Sequence, residues 1–416
     1  MQLYSSLMIN LNLNKKVIIF GFIFTFFSSF GQSFFLGLFN PSIRNELNIS
    51  HGQFGTIYAS ATICSSLALV WFGKKIDEYK LFHYSLIVIF LLTLSTFFFS
   101  IINNLYFLIL GVFLIRFSGQ GLMSHTSTTT ISRYFNKSRG KALSAVWFGM
   151  SAAEFILPIV IIFLLSFLSW RMIWQYISLL MLVFLPIVIM TTIKNLSFES
   201  RESNSETYFK NKTYLNIKNW KRIEVMRDLK FYIISLNLLS MAWIATGVFV
   251  YQSFISESKL WDIYTIPKSF MIYSIMSIFT LVLSGYLVDK FSSRKIILFA
   301  NLPLLLGLIF LYYFDYQIIS YIFFGLMAIS NGLTLVLGSS LWAEIYGVKY
   351  IGSIKALTTS LMVFLTAFGT AIFGYFIDLG LSIESIALIC IIYITSTFLM
   401  LLIINKKINP IIIKKA

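Results

Sequence analysis

Charge is scarce in this chain. Only 12% of its 416 residues are Asp, Glu, Lys or Arg, about half the share of a soluble protein. Cysteine is scarcer still, with Cys64 and Cys390 alone. Both fall inside apolar runs, form no metal spacing and no disulfide framework, and read as buried small hydrophobes. There is also no phosphate-cradling glycine loop, no cluster of metal-ligating side chains and no nucleophile–base pair. ATP drive and enzymatic chemistry are therefore unsupported, and no cofactor or metal is expected. The net charge of +16 belongs to no basic domain. Its lysines and arginines sit in short gaps between apolar runs, so nucleic acid is not an expected partner.

What is abundant is apolar: 58% of the residues are hydrophobic. They come in runs of about twenty, the length that crosses a bilayer. Twelve spans are expected, at 17–39, 53–73, 82–102, 105–125, 142–168, 172–193, 229–254, 268–288, 296–314, 317–339, 353–377 and 383–405. The first follows Lys15-Lys16, has no small-residue cleavage site after it and exceeds a signal-peptide core, so it is expected to be retained. The gaps alternate in charge. One set carries 27 Lys and Arg; the other holds only Arg44, Arg171, Lys259 and Lys268. The rule that cations stay inside makes the first set cytoplasmic, both termini included. The expectation is a multi-pass protein of the cytoplasmic (inner) membrane.

The spans repeat. Gly73 and Asp77 close the second span, and Gly285 and Asp289 close the eighth, 212 positions later. At the same offset Tyr134, Lys137 and Gly140 meet Tyr346, Lys349 and Gly352. The expected fold is therefore an all-α integral membrane protein with twelve transmembrane helices in two parallel six-helix repeats. Residues 1–193 form the first bundle and 229–416 the second. Residues 194–228 form a cytoplasmic linker between them. Its stretch 195–213 is rich in Ser, Asn, Glu and Lys and reads as flexible. In 216–228, Ile217, Trp220, Ile223 and Met226 fall near helical spacing beside Lys218, Lys221, Arg222 and Arg227. That pattern predicts a helix on the membrane surface with its apolar side in lipid.

The motifs resemble the major facilitator superfamily over nearly the whole chain. Gly73 and Asp77, then Gly285, Asp289, Lys290, Arg294 and Lys295, are similar to the family's loop after its second and eighth spans, with Glu78, Lys80 and Ser292 departing from it. Arg116-Phe117-Ser118-Gly119-Gln120-Gly121 is similar to its arginine-plus-glycines motif. Arg133-Tyr134-Phe135 and Arg139-Gly140-Lys141-Ala142 resemble the monocarboxylate and oxalate–formate branch. That branch places an Asp and an Arg in the eighth span, where 268–288 has neither. The resemblance implies a central cavity lined by spans 1, 4, 7 and 10. It also implies contacts of span 2 with span 11 and of span 8 with span 5.

Arg116 is the one cation away from the ends of a span, and a charge there needs a partner or a wet cavity. Glu154, on the oppositely running fifth span at a depth differing by about 7 Å, is the expected partner. The pair reads as a structural ion pair, or as a titrating Glu154 and an Arg116 that grips a substrate carboxylate. Gln32, Gln120, Asn237, Trp243 and Asn331 are further candidates for solute contact, alongside Ser28, Ser29, Ser240 and Thr334. Each polar one reads equally as interhelical glue. His125 reads as an interfacial histidine or a proton relay. Asp77 and Asp289 sit at the negative ends of their helices and need positive neighbours. With Gly73, Gly285, Lys290 and Arg294 they form an expected latch, Asp77 near Ser353 and Asp289 near Lys141. The functional expectation is a monomeric secondary carrier, symporter or antiporter, moving a small organic solute by alternating access. The solute is expected to bear a carboxylate and to be coupled to protons. The alternatives are a drug or lipid exporter of the same fold and a non-transporting membrane sensor.

Overall fold

The computed structural model describes residues 2–135, 139–194, 218–347, 349–405 and 408. Among them no strand occurs, and twelve helices are long and apolar enough to cross a membrane. They are α1 Lys15–Leu47, α2 His51–Asp77, α3 Leu81–Ser100, α4 Leu105–Tyr134, α5 Ala142–Leu165, α6 Trp170–Thr192, α7 Leu229–Val250, α8 Thr265–Val288, α9 Ser293–Tyr313, α10 Gln317–Tyr346, α11 Ser353–Asp378 and α12 Ile383–Ile404. All twelve expected spans are present. α1, α4 and α10 run well past their apolar stretches, because a helix does not stop where its apolar run meets water.

Local chemistry starts these helices. Ser50 caps α2 by accepting from the Gln53 N–H, while Gln53 Oε1 accepts from the Ser50 N–H, a reciprocal box. Asn104, Ser169 and Ser382 cap α4, α6 and α12 through the N–H groups of Phe107, Met172 and Ser385. α1 ends at Asn48 with φ 51° and α10 at Gly347 with φ 80°, the left-handed terminus that glycine and asparagine favour.

The chain divides into two compact units. Unit 1 comprises Met1–Ser200 with two further pieces, Phe249–Ser253 and Thr370–Asp378; unit 2 is the remainder. In unit 1, small residues let α1 and α5 approach closely. A Cβ on Gly149 would stand 2.1 Å from the Phe22 carbonyl oxygen, and Thr25 Oγ1 donates to the Val146 carbonyl. Trp174 is fully buried against Phe39 and Phe99. The two extra pieces are anchored by polar bonds. Asp378 accepts from Ser50 Oγ and from the His51 and Gly52 N–H groups at 2.5, 3.0 and 2.9 Å, and Tyr251 Oη donates to His51 O and Thr370 O. In unit 2, Phe231, Trp342 and Tyr346 form the aromatic centre.

Large apolar side chains also cover the outside: Trp71, Phe90, Tyr106 and Phe279 are exposed. With lipid as the surrounding solvent this costs nothing. Cys64 belongs to this outer set. The expectation that both cysteines are buried holds for Cys390 alone, since an apolar run in a membrane protein can face either lipid or protein.

The stretch expected to lie in lipid is shorter and more firmly held than predicted. Ile217 lies outside the described residues, and the helix is Arg222–Met226. Trp220 packs on Tyr346, with its N–H donating to the Tyr346 carbonyl, and Val225 is buried in the core of unit 2. Among the described residues of the expected apolar set, Ile223 and Met226 stay outside.

Candidate functional site

Two helical irregularities meet inside unit 1. α1 tightens to a 3₁₀ turn at Ser29–Gly31 and breaks at Gln32, which is extended with φ −86° and ψ 155°. α4 widens into a π-helix over Arg116–Met123. Such departures are uncommon and gather at functional positions. The glycines let them meet: a Cβ on Gly31 would stand 2.4 Å from the Gln120 nitrogen and 2.6 Å from the Ile115 oxygen. One on Gly119 would stand 2.9 Å from the Gly31 nitrogen.

Arg116 sits at this crossing, 3% exposed. Its Nη1 donates to the Gly31 carbonyl at 3.1 Å, and its guanidinium lies over the Tyr58 ring, 5.0 Å from the centroid. Burying a cation beside one carbonyl and a ring leaves donors over. Nε of Arg116 has no hydrogen-bond partner among the described residues, although a guanidinium carries five N–H donors. The expected ion pair with Glu154 is not formed. Arg116 has the partners just named, and Glu154 is half-buried without an ion pair or hydrogen bond among the described residues. Similar depth along two helices does not fix the direction each side chain faces around its helix.

Gln32 and Gln120 flank the crossing, half-buried, and neither side-chain amide has a hydrogen bond among the described residues. Ser28 and Ser29 are spent nearby, on Thr25 O and Met150 Sδ. His125 ties α4 to the end of α2, Nε2 lying 3.1 Å from Gly73 O.

The candidates in unit 2 are engaged with neighbouring helices. Asn237 donates to Thr397 Oγ1 at 3.2 Å, and its own carbonyl accepts from Asn301 Nδ2 at 2.5 Å. Asn331 donates to Ser277 Oγ at 3.3 Å. Trp243 is buried edge-on to Tyr393. These geometries match the interhelical-glue reading more closely than a solute site.

On the face that bears most of the cations, Asp77 forms an ion pair with Arg133 of α4, and Arg133 also donates to Ile76 O. Its partner Arg133 lies in its own unit. For the other arm of the expected latch, the side chains of Asp289 and Lys141 lie outside what the structure describes. Gly285 has open space around it. Lys290 lies over the rings of Tyr286 and Phe291, and Arg294 Nε is 3.6 Å from Glu344 Oε2. Glu344 itself accepts from the N–H and Oγ of Ser293.

Several polar residues had no signal in the sequence. Tyr58 resembles any other aromatic in an apolar run. Lys259 resembles a solvated loop cation, yet its side chain is wholly buried between Asp315 Oδ1 at 2.5 Å and Glu384 Oε1 at 2.7 Å.

Solved transporters share this architecture. A bacterial homologue of the human lysosomal transporter Spinster, in an inward-facing and occupied conformation, is 13% identical with a TM-score of 0.66, the match covering 94% of this chain and 96% of that one. The nucleoside transporter NupG is 12% identical with a TM-score of 0.67, covering 95% of this chain and 99% of that one. At such identity the likeness is one of fold. No curated protein sequence matches the chain. The family model of the Major Facilitator Superfamily matches residues 21–370. With its twelve helices and its two six-helix repeats, the chain belongs to the Major Facilitator Superfamily.

Proposed function

We propose that the protein is a secondary active transporter for a small organic solute bearing a carboxylate, with Arg116 as the anchor of that group. The carrying observation is the buried guanidinium with an unpartnered Nε, at a crossing where α1 is broken and α4 is a π-helix. A planar fork with donors to spare matches a carboxylate in two parallel bonds. Gln32 and Gln120, with free amides beside it, orient the rest of the solute. Glu154, a carboxyl without an ion-pair partner among the described residues, is the proton-coupling group. Asn237, Trp243 and Asn331 hold the helices of unit 2 in place. The cation-rich gaps, both termini among them, face the cytoplasm, and the protein works as a monomer in the inner membrane. Gly73, Asp77, Gly285, Asp289, Lys290 and Arg294 bias the alternating-access equilibrium from that side.

Uptake into proteoliposomes tests this. A panel of carboxylates is compared with neutral analogues and nucleosides, with and without a pH gradient. Carboxylate uptake that Arg116→Gln abolishes and Arg116→Lys restores only in part is expected. With Glu154→Gln, gradient-driven uptake should fall while exchange persists. Uptake confined to neutral solutes would overturn the carboxylate reading, and efflux of apolar dyes would favour an exporter. Sidedness is read in a background of Cys64→Ser and Cys390→Ser. A membrane-impermeant reagent added outside should reach Glu257→Cys and miss Lys80→Cys.

A further inference from the structure

The segment 218–230 is sorted by charge. Its two acidic residues are engaged within the protein. Glu224 Oε2 accepts from the Lys221 N–H at 2.6 Å, and Oε1 lies 3.2 Å from Lys218 Nζ. That backbone bond, followed by the Lys218 ammonium, holds the carboxyl below its ordinary pKa. Asp228 accepts from the Lys230 N–H and from Tyr346 Oη, both at 3.1 Å. Three of its five basic side chains make no such contact. Lys221, Arg222 and Arg227 are exposed, and their side chains have no ion pair among the described residues. Among them stand three exposed apolar side chains: Ile223 at 66%, Met226 at 44% and Leu229 at 71%.

The segment is also fixed in place. Trp220 donates its N–H to Tyr346 O and packs on that ring. Asn219 Oδ1 accepts from the Lys349 N–H, and Tyr232 Oη donates to Met226 O. Leu229 is the first residue of α7, so the surface stands where a membrane span begins. A free anion would need the cations but not the apolar group between them. A headgroup layer over acyl chains needs both.

We infer that Lys221, Arg222 and Arg227, with Ile223, Met226 and Leu229 between them, form a docking surface for anionic phospholipid headgroups. The surface sits in the bilayer interface and presses α7 against it. It is independent of what the protein carries and of which leaflet it faces. Each cation contributes roughly fivefold to the preference for an anionic over a zwitterionic surface.

The test uses the full chain lacking Cys64 and Cys390, with a nitroxide at Ile223→Cys or Met226→Cys. It is reconstituted in phosphatidylcholine vesicles with and without phosphatidylglycerol. Collisions with lipid-soluble oxygen and with a water-soluble nickel chelate report depth. Adding phosphatidylglycerol should move both labels out of reach of nickel and into reach of oxygen. The triple variant Lys221→Gln/Arg222→Gln/Arg227→Gln should lose that shift, and Arg222→Lys/Arg227→Lys should keep it. Size-exclusion elution and intrinsic tryptophan fluorescence establish that each variant folds. Labels open to nickel in both vesicle types would overturn the proposal. Labels equally deep in pure phosphatidylcholine, whatever the charge at 221, 222 and 227, would overturn it too.

Discussion

On the face poor in cations, each unit is tied by charge, and the two ties have opposite polarity. In unit 1 the carboxylate of Glu46, at the end of α1, accepts from Arg171 at the start of α6 at 2.6 and 2.9 Å and from Trp170 Nε1 at 2.6 Å. Arg171 also donates to Ser100 O, at the end of α3, and to Ile102 O just past it. In unit 2 the cation comes first: Lys259 meets Asp315 and Glu384, and Trp261 Nε1 donates to Asp315 O at 2.6 Å. Glu46 and Lys259, Ile102 and Asp315, and Arg171 and Glu384 each stand 213 positions apart. The fold repeats the place of the tie, not its sign. Helix dipoles make the two unequal. Glu384 in the first turn of α12, and Lys259 just after the helix Gln252–Ser258, complement their helices. Glu46 at a C-terminus and Arg171 at an N-terminus oppose theirs, and the two carbonyls and Trp170 offset the difference.

The largest effect is expected where the charge is most deeply buried. Asp315→Asn with Glu384→Gln strands Lys259, whose side chain has no exposure. Removing the partners of a buried charge costs about 3–5 kcal/mol, read as a lowered midpoint of thermal unfolding in detergent. Next comes a transplant. Lys259→Glu alone should be of similar severity, because three carboxylates then converge. Adding Asp315→Ile and Glu384→Arg, which imports the arrangement of unit 1, should recover most of the loss. It should stay short of wild type by about 0.3–1 kcal/mol for each opposed helix end. The reverse transplant, Glu46→Lys with Arg171→Glu, should not recover, since a carboxylate would face the carbonyls of Ser100 and Ile102. Equal recovery in both directions would mean the ties are equivalent after all.

A smaller effect belongs to the opposite face, where the polarity is inverted again. There α4 supplies the cation Arg133 to Asp77, and α10 supplies the anion Glu344 to Ser293. Glu344 is 11% exposed, and Glu344→Ala leaves the Ser293 N–H without its partner while the hydroxyl keeps Ser340 Oγ at 2.8 Å, a loss of about 1–3 kcal/mol. Glu46→Gln should cost about 1 kcal/mol or less, since this carboxylate is partly exposed and Arg171 keeps its carbonyls. Asp77→Asn should cost least in stability, well under about 1 kcal/mol, because both partners are largely in water. If transport nonetheless falls, and a cysteine at that mouth labels faster, Asp77 acts on the conformational equilibrium and not on the fold.

The spans and the repeat were legible because their signals are local. Gly73 and Asp77 match Gly285 and Asp289 as letters, and a run of twenty apolar residues announces itself. The ties were not legible, because Glu46 against Lys259 and Arg171 against Glu384 read as mismatches. At the candidate site, the isolation of Arg116 in an apolar run marked it from the sequence. Its partners did not show: Gly31 and Tyr58 are ordinary in such runs, and similar depth on an oppositely running helix does not make Glu154 a neighbour. The 3₁₀ break of α1 and the π stretch of α4 shift the helical phase, so counting residues along an ideal helix misjudges which way a side chain points. The surface segment was half legible. Its cations were plain, whereas the turning of Trp220 and Val225 inward depends on Tyr346 and the core of unit 2.

The amino-acid sequence by itself determined the number of membrane-spanning helices, the solvent they require and their division into two copies. Transfer of apolar side chains into a bilayer adds up residue by residue along one run, so no distant residue is needed to decide it. The tertiary structure alone decided which charges meet. An ion pair depends on the direction and distance of two groups that the chain may separate by more than a hundred residues, as Glu46 and Arg171 are, and the packing of whole helices fixes both.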